Sequence, residues 1–356
     1  MTTPASHTYL KTRAAVMAKQ LFSADRLEQM LQSNLESLVR EFKLESFIGS
    51  SNSQAGINRA AERALIHTLM NELGVLLRPL DGTARNILIH WTRKFELYNL
   101  KALIRGKLQG LPFEQIKHDL YDLPPLISLP HDRLLRTESV LELLRSLEQS
   151  PFADIALQAR QVYEEKNEPF SLDAAIDRTY YTGLLRRIRR ATAKDYDSLQ
   201  RLAGSLIDQQ NLIWLLRYRF SYQLSPSETY YLLIPFGRQL HQERLKMLVN
   251  LEQFERVIEK LPNGLRECLD GVADLPGAER LLEANSALQT RKSLRFSQSA
   301  VTRSLAYLIL REMDLKKLYV LLQGKVLNLN DSLIRTAAGM TQGDPNSGQS
   351  ARDAHV

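Results

Sequence analysis

Three stretches hold residues whose types and spacing could do chemistry. ELYNLKALIRGK (96–107), DQQNLIWLLRYR (208–219) and DLKKLYVLLQGK (314–325) each open on a carboxylate and close on a base. The pairs Gly106-Lys107 and Gly324-Lys325 are the residue types of a phosphate-binding loop. That loop needs a glycine five residues before its Gly-Lys glycine and a Ser or Thr after the lysine. Here Lys101 and Tyr319 fill the first position, and Leu108 and Val326 the second. The leucine spacing also predicts a helix rather than a loop, so the phosphate-loop reading is rejected.

Other reactive groups are scattered. His7, His67, His90, His118, His131, His241 and His355 form no His-x-x-x-His or Glu-x-x-His pair suited to a metal. No nucleophile elbow is present, and no carboxylate pair stands out from the many acids. No catalytic residue, cofactor or metal site is expected, and the chain does not read as an enzyme. Basic chemistry is concentrated in LLRRIRRATAK (184–194), with Arg186, Arg187, Arg189 and Arg190, and in RYRFSY (217–222). On one helix the four arginines would spread over about 160° of arc. Such a face can be solvated, can dock on an acidic protein or anionic lipid, or can contact nucleic-acid phosphates. No recognised nucleic-acid module accompanies it.

The three opening stretches align on their final base. Glu96, Asp208 and Asp314 match; Asn99 and Asn211 match, with Lys317 in the third copy. Leu100, Leu212 and Leu318 follow, then Leu103–Ile104, Leu215–Leu216 and Leu321–Leu322. Arg105 and Arg217 match, with Gln323 third, and Lys107, Arg219 and Lys325 close the pattern. Leu97, Leu100, Leu103, Ile104, Leu108 and Leu111 fall within about 140° of helical arc, the apolar stripe of an amphipathic helix. Leu315, Leu318, Leu321, Leu322, Val326 and Leu329 reproduce it. The acid and the asparagine are expected to tie neighbouring helices together by hydrogen bonds. A loop then leads to Leu111, Leu224 and Leu329, with one extra residue in the second copy. SPSE at 225–228 predicts a helix start, with Ser225 as N-cap, Pro226 at N1 and Glu228 closing a capping box.

Composition agrees with a helical reading. Hydrophobic residues make up 44% of the 356 and charged residues 24%, enough apolar material for a real core. Leucine is abundant, and Gly and Pro are sparse, which favours helices nearly throughout. No apolar run reaches the roughly 18 residues of a membrane span. The opening MTTPASHTYLKTRAAVMAKQLF has no apolar core after a charged segment, so no secretory signal is expected. Cys268 stands alone, which excludes an intramolecular disulfide and any multi-cysteine zinc site. Together these point to the cytosol. The net charge of +7 favours an acidic partner without choosing its class.

A second echo lies in NLESLVREFKLESF (34–47), VLELLRSLEQSPF (140–152) and LEQFERVIEKLPNGL (251–265), each read as a Leu-rich helix ending in a turn. The expected organisation is all-α: three similar helical-bundle domains at 1–128, 129–240 and 241–336, followed by a polar tail, 337–356, read as disordered. Three such units can close around a pseudo-threefold axis or stack as an open solenoid.

The stretches FELYNLKALIRGK, DQQNLIWLLRYRFSYQLSPSETYYLLIPFG, SLDAAIDRTYYTGLL (171–185), KLYVLLQGKVLNLNDSLIR and the opening YLKTR…LFSADRLEQML resemble the central-stalk C-type component of bacterial and archaeal V/A-type ATPases, the counterpart of the d-type component of eukaryotic V-ATPases. The resemblance covers residues 9–336. It implies three helical domains in a pseudo-threefold, funnel-like arrangement and a rotor role without catalysis. It implies a place on the cytoplasmic face of the membrane proteolipid ring, peripheral to the bilayer, receiving a central shaft made of the D and F subunits, with no nucleic acid. Arg105, Lys107, Arg217, Arg219 and Lys325, with Arg186, Arg187, Arg189 and Arg190, are the candidate partner contacts; Gln323 departs from the family's frequent arginine. Glu96, Asn99, Asp208, Asn211 and Asp314 are the structural repeat positions. Two rivals stand beside this reading. A helical-repeat scaffold of another kind would show a period below about 50 residues, whereas the period here is about 110. A basic nucleic-acid binder would need more than 47 basic residues interspersed with 40 acidic ones.

Overall fold

The computed structural model describes residues 4–45, 54–166 and 168–340. Among them every regular element is helical and no strand occurs, so the all-α expectation holds. The chain runs α1 (Pro4–Ala18), α2 (Ala24–Gln32), α3 (Leu35–Glu41), α4 (Gln54–Leu77), α5 (Gly82–Leu108), α6 (Phe113–Asp119), α7 (His131–Leu135), α8 (Val140–Ser146), α9 (Ala153–Lys166) and α10 (Pro169–Ile188). It continues with α11 (Ala193–Leu216), a π-turn (Arg217–Ser221), α12 (Pro226–Leu232), α13 (Gln242–Val249), α14 (Phe254–Glu259), α15 (Asn263–Cys268), α16 (Leu275–Phe296), α17 (Ala300–Val326) and α18 (Asp331–Ala337). The end of the stretch 34–47 and the polar tail beyond Met340 lie outside the described residues.

The repeated stretches form the C-terminal parts of α5, of α11 with its π-turn, and of α17. Among the described residues, contacts form two units, one within 1–15 and 72–307, the other within 16–71 and 308–356. In the first unit the leucine stripe builds two cores. Leu97, Leu100, Leu103 and Ile104 of α5 pack with Leu134, Leu143, Leu144 and Ile176. Leu212, Leu215 and Leu216 of α11 pack with Leu245, Leu248, Val257 and Leu282. Complete burial of one such leucine stabilises by roughly 1.5–3 kcal/mol. In the second unit Leu315, Leu318, Leu321 and Leu322 of α17 are buried, as are Leu27, Met30, Leu31 and Leu38 of α2 and α3.

The helix starts obey local rules. Ser225 Oγ accepts from Glu228 N (3.2 Å) and Glu228 Oε2 accepts from Ser225 N (2.9 Å), the reciprocal capping box, with Pro226 inside it. Ser23, Asn34, Ser139 and Asn330 cap α2, α3, α8 and α18 with their side chains. The stretch 251–265 is, as expected, a helix that ends in a turn: α14 stops at Glu259, and Pro262, which cannot continue a helix, precedes α15. The basic stretch 184–194 differs from the expected single helix. α10 stops at Ile188, Arg189 is its C-cap, and α11 opens at Ala193. The four arginines therefore do not share one helical face; Arg186 and Arg187 sit in a last turn, where cations complement the helix dipole.

The ends of the repeated helices share one geometry. Leu111 N donates to Gly106 O, and Leu329 N to Gly324 O, both at 2.9 Å; in the second copy Leu224 N reaches Tyr218 O at 2.9 Å across one more residue. The π-turn absorbs that residue, and each turn closes through a left-handed position: Gly110, Gln223 and Asn328. Gly106 and Gly324 answer to packing, not to phosphate. A Cβ on Gly106 would lie 2.6 Å from Ile116 Cγ1 of α6, and one on Gly324 2.5 Å from Ile334 Cγ1 of α18. Overpacking of this kind costs ~1–3 kcal/mol, against up to ~1 kcal/mol gained in helix propensity. Gly106→Ala is accordingly expected to lower thermal stability, and Gly106→Ala with Ile116→Val to recover part of the loss. Equal melting temperatures for Gly106→Ala and the parent would refute the packing account.

Candidate functional site

Each repeated helix carries a set of buried pins. In α5, Glu96 is completely buried. Its Oε1 accepts from Leu129 N (2.8 Å) and contacts His131 Nε2 (2.6 Å), while Oε2 accepts from Asn99 Nδ2 (2.9 Å). Asn99 then clasps the Tyr121 backbone in both directions, Nδ2 to Tyr121 O at 3.0 Å and Tyr121 N to Oδ1 at 2.7 Å. In α11, Asp208 accepts three successive backbone N–H groups: Arg238 (2.9 Å), Gln239 (2.8 Å) and Leu240 (3.0 Å). Asn211 clasps Ile234 as Asn99 clasps Tyr121, at 3.0 and 2.8 Å. Burial raises the Asp208 carboxyl above the usual carboxylate range, while the three backbone donors pull it back. Gly237 is required here, because a Cβ would collide with the Asp208 carboxylate and the Leu240 carbonyl. In α17, Asp314 Oδ2 accepts from Phe22 N at 2.7 Å. With Lys317 where the others have asparagine, the clasp is missing from the third copy.

The closing bases work inward. Lys107 Nζ donates to Leu135 O (3.0 Å) and Thr137 O at the end of α7, and burial lowers its pKa. Arg219 donates to Val249 O (2.8 Å) at the end of α13 and to Leu224 O (2.6 Å). Lys325 Nζ donates to Leu31 O (2.7 Å) in the last turn of α2. Each base thus satisfies carbonyls that a helix end leaves orphaned, and puts positive charge on the negative end of the dipole.

The remaining arginines face outward to different degrees. Arg105, about half exposed at 51%, lies 3.6 Å from Asp173. Arg217 pairs with Glu279. Arg186 pairs with Asp154 at 2.8 Å, Arg187 donates to Gly183 O at 3.0 Å, and the Arg189 guanidinium lies 4.9 Å from the centre of the Phe236 ring. Arg190 is exposed. Sequence reasoning has no means of placing His90, a buried ring of α5 stacked on Tyr180 at 5.0 Å, with Nε2 at 2.9 Å from Tyr180 O. Its partner lies 90 residues away.

Among the described residues no group of three or more His, Cys, Asp and Glu could hold a metal ion, and no helix is long and apolar enough to cross a membrane. What the geometry does supply is a helix built three times as a rigid anchor, each copy held to its neighbours through buried polar pins.

Comparison with known proteins places this arrangement. A family model described as ATP synthase (C/AC39) subunit matches residues 10–337. The C subunit of the A-type ATP synthase of Methanocaldococcus jannaschii is 24% identical, over 93% of this chain and 86% of the relative. The protein of the same description from Methanosarcina barkeri is 21% identical over 93% of this chain and 92% of its own. That from Haloferax volcanii is 23% identical over 92% and 95%.

Proposed function

The chain belongs to the ATP synthase (C/AC39) subunit family, and from that premise we propose that it is the non-catalytic rotor adaptor of a V/A-type ATPase. In this reading it sits on the cytoplasmic face of the proteolipid ring, peripheral to the membrane. It receives the shaft made of the D and F subunits and passes torque between shaft and ring, so that ATP turnover and ion flow are linked. Three similar helical units, one around each repeated helix, act in a pseudo-threefold, funnel-like arrangement.

The observation that carries the reading is the extent of the family match, which runs from the first repeat through the last. The internal pins support it. A part that transmits torque must not shear, and Glu96, Asp208 and Asp314 fasten each repeated helix to neighbouring backbone by short buried bonds. Arg105 and Arg217, at matching positions with only partial screening by Asp173 and Glu279, supply charge on the outward face of two of the three helices. Lys107, Arg219 and Lys325 contribute by stiffening the same helices from beneath.

The test is affinity purification of the tagged chain from native membranes in mild detergent, beside an Arg105→Glu/Arg217→Glu double variant. Shaft subunits and proteolipid should accompany the parent in stable ratio. The double charge reversal should weaken that association by about tenfold, as loss of complementary interface charge does. An Arg105→Gln/Arg217→Gln variant, which puts no new carboxylate beside Asp173 or Glu279, should weaken it with a smaller change in the melting temperature of the isolated chain. Co-purification of nucleic acid, or of soluble proteins without ATPase subunits, would overturn the rotor assignment. Undiminished assembly of the double variant would remove the two arginines from the contact.

A further inference from the structure

A polar cavity against α11 and α16 has no part in that scheme. It measures about 530 Å³ and is walled by the first half of α11, by α16 and by the turn leading into α17. Small-molecule pockets run roughly 300–1,000 Å³. Four cationic side chains line it, Lys194, Arg201, Arg238 and Lys292, against one carboxylate, Asp197. None of the four has a carboxylate of a described residue within 4.0 Å. Like charges gathered around a concave polar wall repel one another, and an anion relieves that repulsion. Arg238 also feels the buried Asp208 carboxylate through space, so the repulsion falls chiefly on Lys194, Arg201 and Lys292.

Two further observations point to a ligand. Thr290 lines the cavity, is wholly buried, and its Oγ1 has no hydrogen-bond partner. A buried hydroxyl left unbonded is costly, and an acceptor oxygen arriving in the cavity would satisfy it. The cavity is also edged by the first turns of two long helices. Lys194 stands at the start of α11, and Ser299 caps α17 by accepting Thr302 N at 3.0 Å while its hydroxyl donates to Asp195 Oδ1 at 2.6 Å. Helix N-termini carry partial positive charge that adds to the lysine and arginine field.

The geometry points to a binding site for a phosphate-bearing ligand, its charge met by Lys194, Arg201, Arg238 and Lys292 and one of its oxygens by the Thr290 hydroxyl. Four cations against one carboxylate call for a multiply charged anion, which phosphate is and a single carboxylate is not. Asp197 would accept a hydrogen bond from a hydroxyl on the rest of the ligand. The same chemistry belongs to soluble phosphates and to anionic phospholipid headgroups, and the experiment separates them.

The full chain is titrated calorimetrically with sodium pyrophosphate and with ATP. In parallel it is sedimented with phosphatidylcholine vesicles, with and without phosphatidylglycerol. Two variants accompany it. Arg201→Ala/Lys292→Ala removes two exposed cations at little risk to the fold. Thr290→Val keeps the shape but removes the hydroxyl, so it should be no less stable than the parent. The expected result is saturable binding that weakens with added NaCl, falls about tenfold or more in the double variant, and falls measurably in Thr290→Val. Binding of soluble pyrophosphate or ATP assigns a free phosphate ligand. Binding confined to phosphatidylglycerol vesicles, and lost in both variants, assigns a lipid headgroup. No binding of any probe, or binding that neither variant alters, overturns the site. The rotor reading does not depend on this outcome.

Discussion

Asp208→Ala is expected to destabilise the chain by about 3–5 kcal/mol, which is the cost of leaving several buried donors without an acceptor. Asp208 accepts the N–H groups of Arg238, Gln239 and Leu240 from within α11. Its side chain is almost wholly buried, at 3% exposure, so water cannot replace it. Alanine would strip three consecutive amides of this acceptor and open a gap beside Gly237, whose bare Cα fits that carboxylate. A melting temperature lower by roughly 5–10 °C is the readout. Asn211→Ala should cost less, because it frees one donor and one acceptor at Ile234 rather than three donors. If Asp208→Ala melts with the parent, the pin is not a principal support of the fold.

The second large effect is a pH dependence. In an unfolded chain the His90 ring titrates near 6.5. In the fold, burial first, with the positive charges of Arg187, Arg93 and Arg186, lowers it to about 3, although the hydrogen bond to the Tyr180 carbonyl pulls the other way. That bond needs Nε2 as donor, and with the pKa lowered this far the buried ring is the neutral Nε2–H tautomer at neutral pH. Between pH 6.5 and about 3 the unfolded chain binds a proton that the folded chain refuses. Stability from this group is complete above pH 6.5 and is lost as the pH falls, at up to about 1.4 kcal/mol per unit. At pH 5 the loss is about 2 kcal/mol. His90→Gln keeps a donor toward Tyr180 and cannot titrate. Denaturation of parent and variant at pH 7.5 and pH 5 should show the parent losing about 2 kcal/mol more than the variant. Parallel losses would place the acid sensitivity in other groups.

How much of this is readable from the sequence depends on how far apart the interacting residues stand. The leucine stripes are legible because their members recur within one helix, at i, i+3 and i+4. The Ser225 capping box is legible for the same reason, since it needs four adjacent residues. The acids and asparagines stand out as a repeat, but their acceptors and donors do not. Tyr121, Leu129, Ile234 and Leu240 are backbone groups 22–33 residues downstream, and a backbone amide leaves no mark in a sequence. The glycines of the Gly-Lys pairs suggest phosphate-loop chemistry until Ile116 and Ile334 are seen against them. The arginine row reads as one helix because Ala191 and Thr192 are weak stop signals, whereas the chain turns there and starts α11. The cavity cations are invisible as a group; Lys194 and Arg201 lie on one helix, but Arg238 and Lys292 come from elsewhere in the chain.

The pins of the third helix have a consequence for how the chain reaches its native state. Asp314 and Lys325 are bonded to Phe22 and Leu31, 292 and 294 residues earlier. The matching bonds of α5 and α11 span about 20–35 residues. During synthesis the first two bundles can therefore close within seconds of their residues emerging, at roughly 5–20 residues per second. The bonds of Phe22 and of the α2 residue Leu31 to α17 must wait until Asp314 and Lys325 have been made. Loop-closure entropy grows only logarithmically with length, so the late closure adds little thermodynamic cost. It is kinetically slow, because contacts so distant along the chain form last. The nascent chain thus carries the buried leucines of α2 and α3 without their α17 partners while the intervening residues, about 290 of them, are made.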